Sequence, residues 1–95
     1  MGEGDKVMGP SSPCELCVPD LGMGDQPIRV SLWLVRRGAP VVQGDPVVEL
    51  LAGEATIDLP SPVSGTLARR LVGEDEVVRV GQALAVIEVD TDDAG

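Results

Sequence analysis

Few side chains in this sequence could do chemistry. The 95 residues include no His, which excludes the usual acid–base group near neutral pH and every His-ligated metal site. Cys14 and Cys17 form a lone C-x-x-C pair, a spacing found in redox couples and in half of some zinc sites. Tetrahedral zinc needs four ligands, and no adjacent Lys, Arg or His would favour a thiolate. We interpret the cysteines as two unrelated thiols, only weak metal-ligand candidates, and predict no metal site.

The other polar residues form no catalytic constellation. The acidic run at 74–76 lacks the spaced oxygen ligands of a calcium loop and is interpreted as a solvated turn. There is no phosphate-binding loop, no Ser nucleophile beside a base and no well-spaced carboxylate pair. Trp33, the single aromatic residue, could serve recognition, but the lone Trp of a small β-domain more often half-covers the core. We therefore predict a domain that is not an enzyme.

The charge balance limits the class of partner. Seven basic residues stand against sixteen acidic ones, a net charge of −9. Phosphate backbones and anionic membranes would be repelled, so the expected partners include neither nucleic acid nor membrane. No apolar run is long enough to span a membrane, and the N-terminus lacks the apolar core of a signal peptide. We expect a cytoplasmic protein with neutral or basic protein partners, whose charge also keeps it soluble.

The elements that must position these residues are short strands. Twelve Gly and eight Pro punctuate a sequence whose core has to come from Val, Leu, Ile and Ala. Apolar residues alternate with others in short bursts between turn signals, which predicts seven or eight strands in a sandwich or barrel. The residues expected to be largely buried are Leu34, Val48, Leu50, Ile57, Leu59, Val63, Leu67, Leu84 and Val86.

The two ends of the sequence differ from its middle. Residues 1–13 are Gly, Pro, Ser and charge with one apolar dipeptide, and residues 91–95 have a similar composition. Such segments have little to bury. We predict a mobile tail over 1–16, one ordered domain over 17–90 and a second mobile tail over 91–95.

A weak internal repeat organises the domain. When the chain is shifted by 37 positions, several residues coincide: Leu34 with Leu71, Val35 with Val72, Val41 with Val78, Gly44 with Gly81, Val47 with Leu84 and Leu50 with Ile87. Each half-unit would leave one apolar face open, and packing the two faces together closes one core. The repeat predicts a β-sandwich with quasi-two-fold symmetry.

Five segments resemble the lipoyl domains of 2-oxo acid dehydrogenase acyltransferases. They are VPDLG at 18–22, WLV followed by Gly at 33–38, GDPVVE at 44–49, ATIDLPSPVSG at 55–65 and VGQALAVI at 80–87. The resemblance covers about three quarters of the chain, with the segments in the family's order. It implies a flattened barrel-sandwich of two antiparallel sheets. The biotinyl branch of the family has Met on both sides of its lysine, which Gly53 and Ala55 do not match.

The sequence departs from this family at its attachment site. Lipoyl domains carry lipoate on a lysine at a hairpin tip, usually preceded by Asp. Counting from the PSP segment at 60–62 or from Glu49 puts this lysine at position 54, within the hairpin residues Gly53, Glu54 and Ala55. Glu54 has no amine to attack an activated acyl group, and the only lysine of the chain is Lys6. No covalent cofactor is therefore expected, although lipoate is the family's cofactor.

These observations lead to one functional hypothesis and two alternatives. The hypothesis is a stand-alone lipoyl-type domain without its acceptor lysine, acting as a non-catalytic docking module for proteins. Components of 2-oxo acid dehydrogenase complexes are the candidate partners. The first alternative is a working lipoyl or acyl carrier, which would need attachment at Lys6 or an unknown site. The second is a small redox or metal-binding protein that uses Cys14 and Cys17.

Overall fold

The computed structural model describes residues 13–22, 24 and 26–90, and all regular structure in them is β. The strands are β1 (Pro13–Cys17), β2 (Ile28–Trp33), β3 (Pro40–Val41), β4 (Pro46–Ala52), β5 (Ala55–Pro60), β6 (Gly65–Arg70), β7 (Val77–Val78) and β8 (Ala83–Val89). Within these described ranges no helix is long and apolar enough to cross a membrane.

Two four-stranded sheets contain all eight strands. The first has the order β1-β8-β6-β3 and the second the order β5-β4-β2-β7, with every pair antiparallel. The two sheets have equivalent strand orders: β1 corresponds to β5, β8 to β4, β6 to β2 and β3 to β7. This quasi-two-fold arrangement confirms the predicted all-β barrel-sandwich fold.

The 37-residue repeat extends to the hydrogen bonds. β2 begins at residue 28 and β6 at residue 65, 37 positions later, and β3 with β7 and β4 with β8 keep the same offset. Leu34 N donates to Val47 O at 2.8 Å, and Leu71 N donates to Leu84 O at 2.8 Å. The two halves therefore share one backbone path.

The core lies between the sheets. Leu50, Leu67 and Leu84 are fully buried there, and so is Ile87. Of the residues predicted to be buried, five are: Val48, Leu50, Leu59, Leu67 and Leu84. Ile57, Val63 and Val86 are half-buried, the first two packed against the core. The aliphatic interior thus follows most of the period-2 pattern.

The prediction for Leu34 is wrong, because this residue is 39% exposed. The pairing of β2 with β4 has a register shift between Val30 and Leu32. One extra residue in a strand turns the following side chains to the opposite face. Trp33 therefore faces inward opposite Val48, and Leu34 lies beyond the end of the strand.

The predicted boundary of the N-terminal tail needs correction at residues 13–16. These residues belong to β1, where Cys14 pairs with Ile87 and Leu16 with Ala85. Leu16 alone among them is buried, so this edge strand has too few apolar residues for a period-2 signal. The predictions for residues 1–12 and 91–95 lie outside the described residues.

Candidate functional site

The hairpin between β4 and β5 carries position 54, where the sequence analysis expects the lysine of lipoyl domains. Leu51 pairs with Thr56 and Ala52 with Ala55, which leaves Gly53 and Glu54 as a two-residue turn. Gly53 has a φ of +63° and Glu54 does not have a positive φ. This pattern fits a type II′ turn, which places Gly at its first central position. Glu54 is therefore the exposed tip of a tight hairpin.

The hairpin is anchored by the interior of its sheet. β4 lies between β5 and β2, and its residues Leu50 and Ala52 are fully buried. Ala52 pairs with Ile28 of β2 on one side and with Ala55 of β5 on the other. The buried base holds the turn in place while the side chain of Glu54 remains in solvent.

Gly53 is constrained by more than its dihedral angle. A Cβ atom at this position would meet Oε1 of Gln26, which belongs to the segment before β2. Non-glycine residues are rare at positive φ, although Asp and Asn tolerate it better than others. Asp at position 53 would therefore strain the backbone and displace Gln26. The sequence provided no signal for the Gln26 contact, because it joins residues that are distant in the chain.

Acidic side chains surround the base of the hairpin on its outer face. Glu49 of β4 lies directly opposite Asp58 of β5, and Glu49 Oε2 accepts a hydrogen bond from Ser31 Oγ at 3.1 Å. Like charges in directly opposed strand positions repel each other. Together with Glu54 at the tip, these residues place three carboxylates along the hairpin. This acidic surface suits a neutral or basic partner.

The cysteine pair has no geometry for joint chemistry. Cys14 and Cys17 are free thiols, both half-buried on β1. Residues three apart in a strand have Cα atoms separated by about 10 Å, and a disulfide requires less than about 7 Å. Over the described ranges, no group of three or more Cys, Asp or Glu residues could hold a metal ion. The strand geometry argues against a redox couple.

Trp33 is half-buried and packs against the core, as its sequence context predicted. Its Nε1 donates to Val72 O at 3.1 Å, and its backbone N donates to a carboxylate oxygen of Glu74 at 3.0 Å. Glu76 Oε1 accepts a hydrogen bond from Gly73 N at 2.6 Å. The acidic run at 74–76 is therefore an exposed turn whose carboxylates also cap backbone amides, a structural role that the sequence analysis missed.

A protein-family comparison decides the class of this domain. The Biotin_lipoyl family model, described as "Biotin-requiring enzyme", matches residues 14–87. The chain belongs to the Biotin_lipoyl family. The matched range begins inside β1 and ends inside β8, so it covers all eight strands of the Biotin_lipoyl fold described above.

Two curated relatives give the same result. The chain is 31% identical over 80 residues to the dihydrolipoyllysine-residue acetyltransferase component of the pyruvate dehydrogenase complex of Staphylococcus epidermidis. Its identity to the protein of that name in Staphylococcus aureus is also 31% over 80 residues. Each match covers 84% of this chain and 18% of the relative, so the chain spans about a fifth of their length.

Proposed function

We propose that this Biotin_lipoyl domain has lost covalent cofactor attachment and acts as a non-catalytic protein-binding module related to 2-oxo acid dehydrogenase complexes. The observation that carries the proposal is Glu54 at the exposed tip of the β4–β5 hairpin. Position 54 is where counting from the PSP segment at 60–62 or from Glu49 predicts the acceptor lysine of lipoyl domains. The strands on both sides of the turn are paired as in an intact hairpin.

The chemistry of attachment supports this proposal. Lipoate and biotin are attached by an amide, which requires an amine nucleophile. The carboxylate of Glu54 cannot act as that nucleophile. Of the seven basic residues, one is Lys6 and six are Arg, whose guanidinium groups stay protonated. The site residues therefore do not fit a covalently bound lipoyl or biotinyl group.

The partner is inferred from the relatives and from the charge. The two Staphylococcus relatives are named as components of a pyruvate dehydrogenase complex. A 2-oxo acid dehydrogenase-type component with a neutral or basic surface would suit the net charge of −9 and the carboxylates of the hairpin. The module would bind through its surface, since lipoyl-type domains present groups to other proteins and do not catalyse reactions themselves.

A working carrier is the second candidate function. The names of the relatives refer to a dihydrolipoyllysine residue. In this chain Lys6 supplies one side-chain amine. Such a carrier would need attachment at Lys6, far in sequence from the hairpin. The redox alternative is disfavoured by the separation of Cys14 and Cys17 along β1.

The decisive experiment is intact-mass spectrometry after co-expression with a lipoate ligase. The parent protein should show no added lipoyl mass, whereas Glu54→Lys should gain one lipoyl group because it restores an amine at the hairpin tip. Gly53 is retained in this variant, because its positive φ disfavours the family's Asp. Glu88→Lys, an exposed substitution within β8, is the matched control and should remain unmodified.

Modification of the parent would contradict the loss of attachment. Lys6→Arg would then identify the carrier alternative, because it removes the only lysine side chain and should abolish that modification. If Glu54→Lys folds and still gains no mass, the hairpin differs from a ligase substrate in more than its lysine.

A further inference from the structure

Two chain crossovers meet on one side of the barrel. Residues 34–39 pass from the second sheet to the first, where Gly38 N donates to Leu67 O at 2.7 Å. Residues 71–76 pass in the opposite direction, and Asp75 N donates to Val30 O at 2.7 Å. We call the surface formed by both crossovers and the adjoining ends of β2 and β6 the crossover face.

The quasi-two-fold axis passes through the centre of the crossover face. Trp33 ends β2 and Arg70 ends β6, at positions 37 apart, and the Arg70 guanidinium lies 5.5 Å from the centroid of the Trp33 ring. Beside them is an open hollow of about 550 Å³ lined by Trp33 and residues 70–74. Leu34 and Leu71, also 37 positions apart, are 39% and 43% exposed. The centre of this face is therefore open and of mixed character, with partly exposed leucines near the Arg70 guanidinium.

The two sides of the crossover face carry opposite charges. Exposed Arg36 and Arg37 lie in the first crossover, which runs beside β6, because Gly38 N donates to Leu67 O. The second crossover carries exposed acidic residues at 74–76 and runs beside β2, because Val30 N donates to Glu76 O at 2.9 Å. Two consecutive arginines therefore lie on one side of this face, and three consecutive carboxylates lie on the other.

We propose that the crossover face binds a second copy of this chain in a two-fold symmetric dimer. A two-fold axis along the boundary between the charged sides brings the basic side of each copy against the acidic side of its partner. A polyanion would meet the acidic side and a polycation the arginines, whereas a second copy complements both sides.

The dimer should be weak and reversible. Each chain carries a net charge of −9, so two copies repel each other at a distance. At physiological ionic strength the Debye length is about 8 Å, which screens this distant repulsion more than it screens charges in contact. The crossover face consists of residues 34–39 and 71–76 with the adjoining strand ends, fewer than the roughly 20–30 residues that each partner contributes to a stable interface. Association should therefore appear only at high protein concentration.

Sedimentation equilibrium over a concentration series tests the proposal. Arg36→Glu/Arg37→Glu should raise the dimer dissociation constant by at least about tenfold, because it places like charges against each other. Glu74→Gln/Glu76→Gln should also weaken the dimer, while its amide oxygens can still accept from Trp33 N and Gly73 N. Unchanged far-ultraviolet circular dichroism checks the fold of each variant, because Trp33 itself lies within the proposed interface.

The control is the single variant Arg79→Glu, which lies in the turn after β7 and is compared with the single variant Arg37→Glu at the same change of net charge. It should alter the dissociation constant much less than Arg37→Glu does. Amide signals in an NMR dilution series should shift mainly at residues 34–39 and 69–76. A parent that stays monomeric at millimolar concentration, equal weakening by the control, or dilution shifts on another face would each overturn the proposal.

Discussion

Residues 28–52 and residues 65–89 each contribute three quasi-equivalent strands to the barrel, β2 to β4 and β6 to β8, and they differ in many of their side chains. Position 37 is Arg in the first half, and its equivalent in the second half is Glu74. Position 33 is Trp, and its equivalent is Arg70. The barrel thus requires a common backbone path and common buried positions, whereas the exposed positions are free to acquire different chemistry.

The hairpin tip has no quasi-equivalent in the described structure. β4 leads through Gly53 and Glu54 into β5, whereas β8, the equivalent of β4, ends at Val89 close to the limit of the described residues. The charged crossovers, in contrast, are fully described in both halves, and they differ in the charge of their exposed residues.

The largest expected effect tests the shared core. Leu50 and Ile87 are quasi-equivalent and fully buried, so Leu50→Ala and Ile87→Ala should each lower the free energy of unfolding by about 2–5 kcal/mol. Urea denaturation measures both values. A loss below about 1 kcal/mol for either variant would mean that the halves do not contribute equally to one core.

A smaller effect should appear where the halves differ inside a strand. Gly65 is the equivalent of Ile28, and a Cβ atom at position 65 would collide with the backbone carbonyl of Glu88. Gly65→Ala should therefore destabilise the protein by about 1–3 kcal/mol. Gly73→Ala is the control, because its Cβ would lie 3.9 Å from the nearest atom, a side-chain oxygen of Glu76. If both variants melt at the parent's temperature, the close contact between residue 65 and the Glu88 carbonyl does not require glycine for stability.

The smallest expected effect concerns the two crossover turns. Gly38 has a φ of +90°, and its equivalent Asp75 has a φ of +73°. Gly38→Ala should cost about 1–2 kcal/mol, because alanine is strained at positive φ. Asp75→Gly should change stability by less than about 1 kcal/mol, since relief of backbone strain is offset by greater freedom of the unfolded chain. Thermal melts distinguish these outcomes, and equal losses would contradict the shared turn geometry.

The hairpin tip was predictable because its signals are local. Apolar residues at Leu50 and Leu59 alternate within their strands, and Gly53 marks the turn between them. The exposure of Leu34 was not predictable, because the register shift between Val30 and Leu32 is defined only by the pairing with β4. The place of residues 13–16 in β1 was missed for the same reason, since β8 supplies their hydrogen-bond partners.

The sequence by itself determined that residue 54 carries no amine and that Lys6 is the only lysine. Its period-2 pattern and 37-residue repeat also determined the all-β, quasi-symmetric fold, because alternation and spacing act along the chain. Only the tertiary structure placed Arg70 over Trp33 and set Arg36 and Arg37 on the same face as the acidic turn. The reason is that barrel closure brings the ends of β2 and β6 together, and no local pattern encodes contacts between strands so far apart in the chain.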